Sequence, residues 1–138
     1  YAVGNGNSGF SVFLQNDRLV FDYNCLGDHH LVESDIEVPV GASVVGVDFE
    51  RIRKNGAAHL LIDGERRGSV ELPFVMRVIS SVGASVGYDC GLPVSRRYTD
   101  SFPFEGRLES VEIELVPFKR DEATQAAEAQ QRSDMTRQ

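Results

Sequence analysis

Apolar and polar residues alternate with a period of two along most of the chain as far as Leu115, a pattern typical of β-strands that bury one face. Two such runs, 10–15 and 19–24, flank the polar pair Asn16 and Asp17. A short polar turn between two alternating runs predicts a β-hairpin.

A second hairpin is predicted where Asp63 and Gly64 separate the runs 59–62 and 67–72, since Asp-Gly favours a two-residue turn. The last run alternates Val111, Ile113 and Leu115 with glutamates, and Leu108 is out of phase with it, which indicates a bulge near residues 109–110. Further extended runs are predicted at 31–38, 45–50, 74–79, 84–88 and 108–115, with a turn at 54–56.

No convincing helical pattern occurs before the last twenty or so residues, and about eight to ten short strands at this spacing favour a sandwich. We therefore expect an all-β, two-sheet antiparallel sandwich in which one face of each strand builds the core and the other meets water. The predicted domains are a flexible lead-in at 1–8, a β-sandwich domain at 9–116 and a polar tail at 117–138. The tail carries no apolar stripe, so we expect it to be disordered or a frayed helix.

The chain has 138 residues and a net charge of −7, so one acidic domain is expected. Negative charge repels phosphate backbones and anionic lipid, which argues against nucleic-acid or membrane-surface binding. No leader or membrane-spanning run is present, which leaves the compartment open but favours the cytoplasm, and a start at Tyr1 suggests a piece of a longer protein. Cys25 and Cys90 either pair or remain two separate thiols; separate thiols are favoured.

The triplet Asp28, His29 and His30 is the best metal-ligand candidate by composition. Adjacent strand residues point to opposite faces, so two neighbouring histidines seldom bind one ion. No zinc or calcium motif is present, which leaves open only calcium bound by loops far apart in sequence. We therefore predict no metal ligand in this chain.

Catalytic patterns are equally weak. Residues 83–87 fit Gly-x-Ser-x-Gly, but a nucleophile elbow needs a helix after the serine, and this segment favours a close-packed strand. Glu112 and Glu114 share one outward strand face, where two solvated carboxylates are ordinary. We predict no catalytic residue and no cofactor for this chain.

One loop remains as a candidate interaction site. Residues 89–101 join Asp89, Arg96, Arg97 and Tyr98. Arginine and an aromatic ring on a rigid sheet could bind a sugar, an anion or a neighbouring domain. The alternative is a surface loop whose tyrosine packs on the edge of the sandwich.

Five stretches of the chain resemble the C-terminal β-domain of large bacterial arylsulfatases, in order and in spacing. They cover much of the region from residue 9 to residue 115 and lie at 9–14, 19–24, 60–64, 86–95 and 102–115. The resemblance implies a concanavalin-A/laminin-G-like jelly roll. It also implies an N-terminal sulfatase catalytic domain as the partner of this one.

In that family the catalytic domain hydrolyses sulfate esters with a divalent metal and a formylglycine made within Cys/Ser-x-Pro-x-Arg. Residues 90–96 miss that motif because Pro93 and Arg96 have the wrong offsets, so no catalytic residue is carried over. The family's Gly-rich loop is also shortened here to 54–58. We expect a non-catalytic C-terminal domain that covers the catalytic domain, shapes its cleft or mediates assembly; the alternative is an independent carbohydrate-binding, lectin-like module. The oligomeric state stays open.

Overall fold

Residues 1–75 and 82–116 are described by the structure, a computed structural model. They form eight strands in two antiparallel sheets. The strands are β1 (Ala2–Asn5), β2 (Ser8–Gln15), β3 (Arg18–Cys25), β4 (Asp28–Glu37), β5 (Val45–Ile52), β6 (Asn55–Ile62), β7 (Glu65–Leu72) and β8 (Ala84–Ser85).

The prediction of an all-β protein with two antiparallel sheets is confirmed. The larger sheet has the order β4-β3-β2-β1-β8 and the smaller one β5-β6-β7. They pack as a sandwich, with β4 on β7 and β3 on β6. The jelly-roll arrangement stays a prediction. The predicted polar tail and most of the predicted run 74–79 lie outside the described residues.

Both predicted hairpin turns are confirmed, and each has the mirror-image geometry that suits twisted strands. Asn16 and Asp17 have φ of 52° and 61°, and Asp63 and Gly64 have φ of 49° and 83°. A third tight turn was not predicted, and a fourth lies one residue before its predicted position. Leu26 and Gly27 join β3 to β4, and residues 53–54 join β5 to β6, so that β6 already begins where the predicted turn 54–56 was centred.

The N-terminal residues form a strand where the sequence predicts a flexible lead-in. β1 pairs with β2 on one side and β8 on the other, and Ala2 is buried. Gly4 makes this pairing possible, because it has φ of +108° and a Cβ there would lie 2.1 Å from the Ser8 carbonyl oxygen. The pairing was missed because glycines and asparagines in 4–9 carry no apolar alternation.

Near the C-terminal end of the predicted domain, the structure has fewer strand residues than the sequence predicts. Residues 108–115 were expected to be the last strand, but they are exposed and do not pair with any strand of the described sheets. The predicted strand 84–88 is reduced to the two residues of β8. Strong alternation therefore does not by itself make a strand, because a strand also has to be hydrogen-bonded to a neighbour.

The core lies between β3 and β6, where Phe21 and Leu60 are fully buried. The prediction that each strand has one solvent face is wrong for β3. Its core-side residues Leu19 and Tyr23 are buried, and so are Asp22 and Asn24 on the opposite face. A long loop covers that second face.

Candidate functional site

The loop at residues 88–104, here called the covering loop, crosses the outer face of the larger sheet. Val94 is its fully buried anchor. The Asn24 side-chain amide donates to the Val94 carbonyl oxygen at 3.1 Å and to that of Gly6 at 3.0 Å. These bonds tie the loop to β3 and to the β1–β2 turn, and they explain why Asn24 is tolerated in a buried strand.

Asp89 organises the inside of the covering loop and is only 4% exposed. Its Oδ2 accepts hydrogen bonds from the Tyr98 hydroxyl at 2.6 Å and from the Val94 backbone N–H at 2.8 Å. Its Oδ1 is buried without a hydrogen-bond partner among the described residues. An ordered water is the usual partner for such an atom.

Tyr98 is buried, with its ring held between two phenylalanines. It stacks on Phe102 with the ring centroids 4.7 Å apart and meets Phe13 edge-on at 4.9 Å. Burial, followed by the hydrogen bond to Asp89, raises the pKa of the Tyr98 phenol well above its usual value. The ring therefore has no open face on which a ligand could stack.

The two arginines of the covering loop differ in their surroundings. Arg97 is tied to the sheet: its guanidinium donates to Gln15 Oε1 at 2.8 Å and to Glu33 Oε2 at 3.1 Å. Arg96 is exposed. Of the four predicted interaction residues, the structure brings Asp89 and Tyr98 together inside the loop and leaves Arg96 at the surface.

A second polar cluster under the loop contains a serine, an aspartate and a histidine. The Ser95 hydroxyl donates to Asp22 Oδ2, and His29 Nδ1 lies 3.0 Å from both carboxylate oxygens of Asp22. In a hydrolytic triad the histidine stands between the nucleophile and the acid. Here the aspartate is in the middle, so the imidazole cannot take the serine proton, and the cluster fastens the loop to β3 and β4.

Sequence reasoning missed this cluster. The signal was present in Asp22, a polar residue in an otherwise apolar run, but Ser95 lies 73 positions away. The prediction that His29 and His30 point to opposite faces is confirmed. His29 contacts Asp22 on the outer face, whereas the His30 ring lies 6.5 Å from that of Tyr23 on the core side.

The other chemistry-bearing residues are dispersed. Ser85 of the Gly-x-Ser-x-Gly match lies buried in β8. The prediction of a close-packed strand is wrong for the rest of the match, because Ala84 and Val86 are exposed and a Cβ at Gly83 or Gly87 would meet open space among the described residues. Glu112 and Glu114 are exposed, and no disulfide joins Cys25 to Cys90, in agreement with the prediction of two separate thiols. In 1–75 and 82–116, no three His, Cys, Asp or Glu side chains are placed to hold a metal ion. Nor does this part of the chain contain a helix that could cross a membrane.

One end of the sandwich exposes large apolar side chains from four separate turns or loops. Leu26 is in the β3–β4 turn and Ile52 ends β5. Phe74 follows β7, and Leu92 lies against Gly6 in the β1–β2 turn. Each of the four side chains is about half exposed or more. We call these four residues the apolar end surface.

A cleft of about 610 Å³ opens at this end. Ile52, Pro73, His30 and Glu71 are among the residues that line it. Exposed apolar side chains that lie close together mark a docking surface better than isolated ones do. The opposite end exposes Val40 and Val44 in the β4–β5 connection.

Comparison with protein-family models, with curated proteins and with solved structures gives no match to this chain.

Proposed function

We propose that this sandwich is the non-catalytic C-terminal domain of an arylsulfatase-like sulfate-ester hydrolase. It would pack on the catalytic domain through the apolar end surface. The observation that carries the docking role is that Leu26, Ile52, Phe74 and Leu92 project from one end of the fold. The sulfatase assignment is supported by the five stretches that resemble the arylsulfatase C-terminal domain.

The covering loop supports a structural role in place of a catalytic one. Its carboxylate and phenol, Asp89 and Tyr98, are bonded to each other, and Ser95 donates to a carboxylate that holds His29 on its far side. A hydrolytic site needs a nucleophile with a base beside it and room for substrate. These groups instead hold the loop on the sheet.

The docking role can be tested in the parent enzyme. Replacing Leu26 and Leu92 by Asp would put charge into the proposed interface, whereas Val40→Asp makes the same change on an exposed valine at the opposite end. We expect Leu26→Asp and Leu92→Asp to lower the thermal stability and the aryl-sulfate turnover of the parent, and Val40→Asp to leave both unchanged. Equal effects of all three would contradict docking through the apolar end surface.

The sulfatase assignment has its own test. The coding region that precedes Tyr1 should encode a catalytic domain with Cys/Ser-x-Pro-x-Arg, and the 138-residue chain alone should not hydrolyse an aryl sulfate. Turnover by the purified chain, abolished by substituting one of its residues, would refute a non-catalytic role.

A sugar-binding module remains the second candidate, because Arg96 presents an exposed guanidinium that suits a sulfate or carboxylate group. Tyr98 cannot serve as its stacking platform, since the ring is packed on Phe13 and Phe102. Titration with neutral and sulfated sugars distinguishes the candidates. Saturable binding of a sulfated sugar that is lost in Arg96→Ala would favour the module.

A further inference from the structure

On the side of the sandwich where β5 is the edge strand of the smaller sheet, the larger sheet extends further. With β4 packed on β7 and β3 on β6, the strand orders place β2 above β5, and the Phe10 and Phe49 rings meet there at 6.4 Å. β1 and β8 therefore extend past β5 with no strand of the smaller sheet opposite them in the described part of the fold. Within residues 1–75 and 82–116, the smaller sheet therefore has no strand at the position next to β5.

The residues around that position are core residues that water still reaches. Val45, Val47 and Phe49 share the face of β5 that meets the core, and the Phe49 ring contacts both Phe10 and Phe21. Phe49 is nevertheless 39% exposed. Within the described residues β5 pairs only with β6, so its second edge offers free backbone donors and acceptors. An unpaired strand edge can hydrogen-bond to a further strand, and the exposed Phe49 ring beside it provides apolar surface that such a strand could cover.

Residues 108–115 have the properties of the missing strand. Val111, Ile113 and Leu115 alternate with glutamates and form one apolar side. Ile113 is 60% and Leu115 86% exposed, so this side has nothing to cover in the described fold. The segment and β5 are each eight residues long.

The chain can reach the free edge. The Phe104 N–H donates to the Gly87 carbonyl oxygen at 2.7 Å, which anchors the start of the segment just past β8. From there to Leu108 the four residues span about 13 Å when extended, and packed sheets are separated by about 10 Å. Glu112 and Glu114 would then project to solvent near Asp48 and Glu50, whose carboxylates lie 3.7 Å and 3.9 Å from the Arg66 guanidinium.

We propose that residues 108–115 add to the free edge of β5 as a fourth strand of the smaller sheet. Val111, Ile113 and Leu115 would then cover Phe49 and the core-side residues of β1 and β2. The occupant is the chain's own segment, because its anchor at Phe104, its length and its apolar side all fit the vacant position. This closure is a property of the sandwich itself and does not depend on the proposed sulfatase role.

Amide hydrogen exchange of the full 138-residue chain tests the proposal. We expect the amides of residues 111–115 to exchange at least about tenfold more slowly than in an unstructured peptide. Ile113→Asp should abolish this protection and should also speed exchange in β5. Glu114→Ser, an outward change on the same segment, should leave both regions protected.

Three outcomes would overturn the proposal. One is exchange of residues 111–115 at unstructured-peptide rates in the unmodified chain, which also decides the matter if Ile113→Asp does not fold. The second is equal loss of protection in Ile113→Asp and Glu114→Ser. The third is protection that disappears on dilution together with a dimer peak in size-exclusion chromatography, which would assign the strand to a second copy.

Discussion

The covering loop and the segment 108–115 reverse the expectations from their sequences. The loop has no alternation and was predicted to be an interaction site or a surface loop whose tyrosine packs on the edge of the sandwich, yet Val94 and Asp89 are buried together with Tyr98. The segment alternates as well as any strand of the protein, yet it lies exposed and unpaired with the described sheets.

The difference shows that burial depends on what a segment meets. Hydrogen-bonding groups of the covering loop pair with groups of β3. The Ser95 hydroxyl donates to Asp22, and the Val94 carbonyl oxygen accepts from the Asn24 side chain. A buried polar group is tolerated when it is paired in this way. The apolar side chains of the segment 108–115 can be buried only against other apolar groups, and its backbone N–H and C=O groups need the edge of a sheet as a hydrogen-bonding partner.

The largest expected effect tests whether the covering loop is truly part of the core. Tyr98→Ala removes a ring packed on Phe13 and Phe102, and we expect it to lower the free energy of unfolding by about 3–5 kcal/mol. Tyr88→Ala is the matched control, because Tyr88 is half exposed. Urea denaturation measures both, and a small loss for Tyr98→Ala would show that the loop is only loosely attached.

A smaller loss is expected when the polar attachment is broken. Asp22→Ala removes the acceptor of Ser95 and the partner of His29, and leaving buried polar groups unpaired should cost about 2–3 kcal/mol. Asp28→Ala is the control, because the Asp28 side chain is exposed and its carboxylate lies 3.4 Å from His30 Nε2 at the surface. If the two variants are equally stable in urea, the Asp22 cluster does not hold the loop.

The loop should also make stability depend on alkaline pH. The phenol of Tyr98 ionises near its ordinary pKa of 10.0 in the unfolded chain but stays protonated in the fold, where its pKa is raised by burial and by Asp89. Above pH 10 the unfolded state therefore binds fewer protons, and the free energy of unfolding should fall by no more than about 1.4 kcal/mol per pH unit. Below that pH the contribution is constant.

Tyr98→Phe should remove this alkaline decline, measured as urea midpoints at successive pH values. Tyr88→Phe is the control and should keep it, because the Tyr88 side chain is half exposed. A decline that persists unchanged in Tyr98→Phe would assign it to other groups.

The smallest effect concerns the solvent side of the loop. Arg97→Ala removes the contacts to Gln15 and Glu33, and a partly exposed ion pair of this kind should contribute about 0.5 kcal/mol. Arg96→Ala should have no measurable effect on unfolding. A larger loss of stability for Arg96→Ala than for Arg97→Ala would contradict the role of Arg97 as the arginine that ties the loop to the sheet.

Much of the fold followed from local chemistry. The hairpin turns at Asn16–Asp17 and Asp63–Gly64 were predictable because only a few residue types adopt positive φ at low cost. The two-sheet, all-β class followed from the period of two. The opposite orientations of His29 and His30 followed from the pleat of a strand.

The candidate site was less accessible to such reasoning. Arg96 and Tyr98 are two positions apart in one loop, but the sequence does not show that Tyr98 turns inward to Phe13 while Arg96 stays in water. The Asp22–Ser95 bond joins residues 73 positions apart, and no local pattern encodes such a pairing. β1 was missed for the same reason, since its strand exists only through β2 and β8.

Possible strands, turns and residues apolar enough to be buried follow from local sequence, because they depend on backbone preferences and on the near neighbours of each residue. The folded arrangement of the chain sets which strand-like segments are paired and which polar residues are buried. Those outcomes depend on contacts between distant parts of the chain, which gain free energy only once the folded sheet brings them together.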